Sequence, residues 1–204
     1  MTIDSIITGY LCAKNKGMYN LKIIIASTRT GRKGPAVAEW IYDVCKQNPA
    51  FNTELLDLAA INLPFLDEPS HPRLKEYIHE HTKKWSKTID GADAVIIVTC
   101  EYNYGYPAPL KNALDFLYQE WNYKPVAFVS YGGLAAGTRA VQQLKQVVTT
   151  LKMMPLTESV NIPFFTKHID ENGKFIPDAT LSSSAEDVVK ELLKWTEALA
   201  TMRK

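Results

Sequence analysis

The sequence predicts an α/β protein in which an open parallel sheet is covered by helices on both faces. Two observations predict it. Five short apolar runs, most of them rich in β-branched residues, recur without polar alternation, as in strands buried on both sides. Between them lie stretches whose apolar residues repeat every three to four positions, as on one face of a helix. Strand followed by helix, repeated along 204 residues, is the pattern of one doubly covered sheet.

Leu21–Ala26 (Leu-Lys-Ile-Ile-Ile-Ala) is the first predicted strand. Val37, Trp40, Ile41, Val44 and Cys45 then fall on one helical face, with Pro35 in the first turn. Thr53–Asp57 predicts a second strand, ending in a proline-containing loop over Asn62–Pro72. Leu74, Ile78, His81, Trp85 and Ile89 form one stripe and predict a helix across all five. On this stripe His81 reads as a core or edge histidine, and His79 points to a different face, a poor metal pair. Asp93–Thr99 is the third strand and the cleanest apolar run. A helix over Pro109–Gln119 follows, with Lys111 and Asp115 spaced to pair along it and Trp121 and Tyr123 expected to be covered on the acceptor side or in a subunit contact. Pro125–Ser130 is the fourth strand. A helix carrying Val141, Leu144, Val148 and Leu151 precedes the fifth, Leu156–Asn161. Asp170-Glu-Asn-Gly173 predicts a turn in a small hairpin or loop. The last helix is expected from near Ser184, with Asp187 three residues on and Val188, Leu192, Trp195 and Leu199 facing the core. No repeat or linker interrupts this pattern, so one domain is expected over residues 21–204. Residues 1–20 read as a loosely ordered N-terminal extension, a poor match to a signal peptide because a basic start is missing.

With 46% hydrophobic residues the chain can build a full core without staples. Its 23 basic and 22 acidic residues balance to a net charge of +1, which argues against nucleic acid as partner. No run is long and apolar enough to span a membrane. Cys12, Cys45 and Cys100 form neither a disulfide framework nor a zinc pattern, and reduced thiols point to the cytoplasm.

In an open α/β sheet, ligands bind beyond the carboxyl ends of the strands, where strand order reverses. The loops after Ala26, Thr99 and Ser130 are also the most unusual stretches in the chain. Ser27-Thr-Arg-Thr-Gly-Arg-Lys-Gly34 joins a strand to a helix N-terminus, where hydroxyls, backbone N–H groups, Arg29 and Arg32 favour an anion. Neither the dinucleotide fingerprint nor a Walker A loop is present, so a monophosphate fits best. A phosphatase-type cradle would need a nucleophilic cysteine, and the loop has none. Cys100-Glu-Tyr-Asn-Tyr-Gly-Tyr106 crowds aromatics at a strand end, suited to flank a flat heterocycle, with Asn103 for its polar edge. In Ser130-Tyr-Gly-Gly133 the glycines let the backbone approach the same ring.

Ser27-Thr-Arg-Thr-Gly-Arg, Glu101-Tyr-Asn-Tyr-Gly, Leu110-Lys-Asn-Ala-Leu-Asp115 and Ser130-Tyr-Gly-Gly together resemble the NADPH-dependent FMN reductase family, from about Leu21 to Asn161. The resemblance implies a flavodoxin-like three-layer sandwich with a five-stranded parallel sheet in order 2-1-3-4-5. It implies FMN as cofactor, NADPH or NADH as co-substrate, and a small-molecule electron acceptor such as a quinone, azo compound, free flavin or metal ion. It places Ser27, Arg29 and Arg32 on the FMN phosphate. Glu101, Tyr102, Asn103 and Tyr104 would lie along the isoalloxazine, with Ser130, Gly132 and Gly133 on its other side. It further implies a homodimer or homotetramer with the flavin near a subunit interface. The sequence departs from the family at Cys100, where proline is usual, at Ala26, and at Ala136. The chemistry expected is ping-pong hydride transfer through the flavin, with no side chain needed as general acid or base. A flavin-binding electron carrier or redox sensor without nicotinamide turnover is the alternative.

Overall fold

The computed structural model describes residues 18–203. The reading of 1–17 as an extension lies outside the described residues. The chain forms β1 (Tyr19–Ile25), α1 (Gly34–Lys46), β2 (Phe51–Asp57), the single turn α2 (Leu58–Ile61), α3 (Glu80–Asp90) and β3 (Ala94–Cys100). It continues with α4 (Ala108–Asp115), β4 (Pro125–Tyr131), α5 (Thr138–Thr150), β5 (Met154–Ile162) and α6 (Ala179–Leu199). Tyr19 and Asn20, read as part of the extension, belong to β1, where Tyr19 pairs with Phe51. All strands run parallel in the order β2-β1-β3-β4-β5. The flavodoxin-like sandwich expected from the motifs is therefore the fold.

Every residue of β3 and of β4 is buried, which is why these runs show no polar alternation. Side chains on one face of the sheet (Leu21, Ile23, Ile96, Val129) pack on α1 and α6 through Val37, Ile41, Val188 and Leu192. The other face (Ile24, Val95, Ile97, Phe128) packs on α3, α4 and α5 through Trp85, Ile89, Leu114 and Leu144. Strand order reverses between β1 and β3, so the crevice for a ligand opens above Ala26 and Cys100.

Three helix boundaries differ from the sequence pattern. The stripe from Leu74 to Ile89 is not one helix: Leu74 and Ile78 are 60% and 59% exposed, and α3 starts at Glu80. Pro72 opens a separate 3-10 turn that ends at left-handed Lys75, and the Glu68 carboxylate takes the N–H groups of Ile78 and His79. His79 is thus extended and precedes the helix, so helical spacing does not separate it from His81. Contrary to expectation the two rings stack at 5.2 Å, both turned to Asp67, with His81 Nε2 3.0 Å from its carboxylate. Helix α4 stops at Asp115, and the Trp121 indole N–H bonds the Leu114 carbonyl in its last turn at 3.1 Å. Helix α6 begins five residues before Ser184, because Asp178 caps it by accepting from Leu181 N–H at 2.8 Å. Lys111 and Asp115 pair at 2.6 Å and Ile169 bridges Phe175 around Gly173, both as expected, whereas Trp121 is fully buried in the core against Trp85.

Helix α5 ends in a full Schellman motif. Met153 N–H bonds Val148 O and Lys152 N–H bonds Thr149 O, with Lys152 in the left-handed position that favours glycine. Lys152→Gly is expected to raise unfolding stability by about 1 kcal/mol, read by urea denaturation.

At the opposite end of the sheet from the crevice, Lys124 is buried and donates to the Ile89 and Asp90 carbonyls that end α3. Burial holds its ammonium down at about 8, from an ordinary 10.5. Between those pH values the unfolded chain carries the extra proton, so this group makes the fold more stable as pH rises, by roughly 3 kcal/mol in all. Lys124→Met removes that rise, which urea denaturation of both proteins at pH 8, 9 and 10 measures.

Candidate functional site

The loop between β1 and α1 is built as an anion cradle. β1 pairing ends where Ala26 N–H bonds Val98 O, and α1 begins at Gly34. Between them the chain turns tightly, with Arg32 N–H on Arg29 O at 3.1 Å and Gly31 left-handed at φ 74°. Among the described residues the N–H groups of Thr28, Thr30 and Gly31 meet no other backbone acceptor, and Arg29 makes no ion pair. The cradle therefore offers amides, hydroxyls and the Arg29 guanidinium at a helix N-terminus, a donor set that fits a phosphate dianion.

Arg32 is placed otherwise than its neighbours. Its guanidinium forms two 2.6 Å bonds to Asp57 at the end of β2 and a third, at 2.7 Å, to the Ser27 carbonyl. The hydrogen bond to Asp57 raises the Arg32 pKa, and the same bond lowers that of Asp57. Asp57 also caps α2 through Ala59 N–H. Arg32 thus ties the cradle to β2 and presents its charge to a carboxylate.

The second loop is a two-residue hairpin. Tyr102 and Gly105 exchange both backbone hydrogen bonds, at 2.8 and 2.9 Å, around Asn103 and Tyr104, which are both left-handed. Asparagine suits the first position of such a turn. The Tyr102 hydroxyl reaches across the crevice to Ser27 Oγ at 2.7 Å, and Ser27 is 1% exposed. Glu101, with 8% of its side chain exposed, pairs through one oxygen with Arg139, while its buried second oxygen has no protein partner. The Arg139 guanidinium also lies 3.8 Å from the centre of the Tyr104 ring, a cation–π contact. Its hydrogen bond to Glu101 raises its pKa.

In the third loop Ser130 Oγ donates to Asn161 on β5 at 3.0 Å. The Gly132 and Gly133 carbonyls accept from Phe165 and Phe164. A Cβ on Gly132 would lie 3.2 Å from Gly137 N, whereas one on Gly133 would meet open space. Left-handed Ala136 and Gly137 complete this turn before α5.

The fold brings Ser27 and Tyr102 into contact and joins Glu101 to Tyr104 through Arg139. It turns Arg32 and Ser130 toward neighbouring strands. Sequence reasoning missed Asp57, Asn161 and Arg139. Arg139 alone carried a signal: a cation in the first turn of a helix opposes the dipole and calls for a carboxylate. Beside the cradle lies a 510 Å³ cavity between Thr28, Asn62–Phe65 and the start of α4, where Asn112 donates to Pro64 O at 2.6 Å. Among the described residues no helix is long and apolar enough to cross a membrane, and no group of three or more His, Cys, Asp or Glu is arranged to hold a metal ion.

These three loops coincide with a known pattern: residues 19–167 match the family model of NADPH-dependent FMN reductases. The chain belongs to that family. An NAD(P)H-dependent FMN reductase of Schizosaccharomyces pombe is 42% identical over 169 residues, covering 74% of this chain and 84% of the relative. A quinone reductase of Escherichia coli is 28% identical, covering 78% and 85%. The solved structure of a flavoenzyme NAD(P)H:(acceptor) oxidoreductase from Paracoccus denitrificans superposes with a TM-score of 0.69 at 20% identity, over 89% of this chain and 98% of that one. This FMN reductase is thus an oxidoreductase that uses FMN with a reduced nicotinamide nucleotide, and its cradle suits the phosphate of that flavin.

Proposed function

We propose that this FMN reductase passes electrons by a ping-pong sequence from NADPH or NADH to a small acceptor such as a quinone, azo compound, free flavin or metal ion. The observation that carries the reading is the donor set of the first loop, amides and an Arg29 guanidinium without partners among the described residues, at the topological switch point and facing an aromatic hairpin. Bound FMN supplies hydride acceptance from the nicotinamide and delivery to the acceptor.

The chain's own residues bind and orient. Ser27 and Arg29 hold the phosphate, while Arg32, committed to Asp57, shapes the loop that presents them. Glu101, Tyr102, Asn103 and Tyr104 would line the isoalloxazine from one side, and Ser130, Gly132 and Gly133 from the other. No side chain is assigned as general acid or base. The chain works in the cytoplasm, a reading supported by the free thiols of Cys45 and Cys100, and as a homodimer or homotetramer, supported by exposed Phe65 and Leu66 beside the cavity.

The test is an anaerobic absorbance spectrum of the protein with FMN, before and after NADPH or NADH. Bleaching of the flavin bands by either nucleotide is expected. Bound flavin that stays yellow with both would favour an electron carrier or sensor, and absence of binding would overturn the flavin site.

A further inference from the structure

Ser27 is nearly sealed from solvent, yet its hydroxyl meets two groups from different parts of the chain. The Tyr102 hydroxyl lies 2.7 Å away, and the Arg29 N–H donates to the same oxygen at a longer 3.4 Å. Tyr102 is held at the base of its hairpin by both backbone bonds to Gly105, so its hydroxyl is delivered to Ser27 by a rigid turn. In the Ser27–Tyr102 pair either oxygen can be the donor.

A phosphate decides between the two directions. Its oxygens only accept, so Ser27 serves it only by pointing its single proton at it. Ser27 can then only accept from Tyr102, and the tyrosine proton is committed to Ser27. Aligned chains of this kind polarise one another, and the last donor gains most.

We propose that Tyr102 is a specificity-determining residue for the phosphate end of the flavin: through Ser27 it fixes the serine hydroxyl as a donor and so favours FMN over riboflavin. The inference rests on the flavin reading above and gives Tyr102 a role distinct from packing along the ring. Burial first, then the Cys100 contact, raises the Tyr102 pKa, which keeps the proton in place for this task.

The experiment titrates the protein with FMN and, separately, riboflavin by flavin fluorescence quenching. It compares the wild type with Tyr102→Phe, Ser27→Ala and the double variant, with thermal unfolding confirming that each is folded. Tyr102→Phe keeps the ring and is expected to weaken FMN about five- to tenfold while changing riboflavin less than about twofold. Ser27→Ala is expected to lose the same discrimination, and the double variant to bind FMN no more weakly than Ser27→Ala alone. Equal weakening of both flavins by Tyr102→Phe, or no weakening of either, would overturn the proposal while leaving the flavin site standing. A wild type that binds neither flavin would overturn the flavin reading and this inference with it.

Discussion

Arg29→Ala is expected to raise the dissociation constant for FMN by about ten- to a hundredfold, the loss of one charge-assisted hydrogen bond to a phosphate. Unfolding stability should stay within about 0.5 kcal/mol of wild type, because Arg29 makes no ion pair among the described residues and sits exposed in the loop. Arg32→Ala separates the two arginines. It removes three hydrogen bonds that hold the cradle to Asp57 and Ser27, so it should cost stability as well as affinity. Flavin titration and urea denaturation on both variants check this. A pair of arginines with the same profile would contradict the division of roles.

Glu120→Ala is expected to destabilise the fold by roughly 2–4 kcal/mol, because it leaves two hydroxyl donors without their charged acceptor. The Glu120 side chain is 0% exposed and accepts from Ser86 at 2.6 Å and from Tyr77 at 3.0 Å, with the Lys75 ammonium at 3.5 Å. Burial and then the adjacent Glu120 charge raise the Tyr77 pKa, so its phenol remains a donor to the carboxylate. These partners come from the segment before α3 and from α3 itself, and Glu120 from the turn after α4. Glu120→Gln keeps an acceptor and the shape, and should cost clearly less. Chemical denaturation compares the two; equal losses would mean that the charge alone sets the effect, and that the shape and acceptor kept by glutamine contribute nothing.

The alternation of apolar runs and amphipathic stretches was enough to place five strands and the helices that cover the sheet. Periodicity is a local consequence of burial, and β3 and β4, buried along their whole length, give the clearest runs. The same pattern misled at Leu74 and Ile78, which share the helical spacing of Trp85 and Ile89 but sit exposed before the helix. Spacing there was decided against by proline, a left-handed lysine and a carboxylate from ten residues away. The motifs located the cradle and the aromatic hairpin, because glycines, hydroxyls and crowded tyrosines at strand ends are visible in one dimension. They could not tell Arg29 from Arg32.

By itself, then, the sequence determined the layered α/β architecture, the three loops at one sheet edge and the family to which they belong. Only the tertiary structure decided which charges are free and which are committed: Arg32 to Asp57, Arg139 to Glu101, the hydroxyl of Ser27 to Tyr102, and Glu120 to a buried niche. Those pairings join residues 25 and 75 positions apart, as in Arg32–Asp57 and Ser27–Tyr102. Ion pairs and hydrogen bonds act over a few ångströms of space. Hydropathy along the chain carries no record of which distant residue the fold will bring that close.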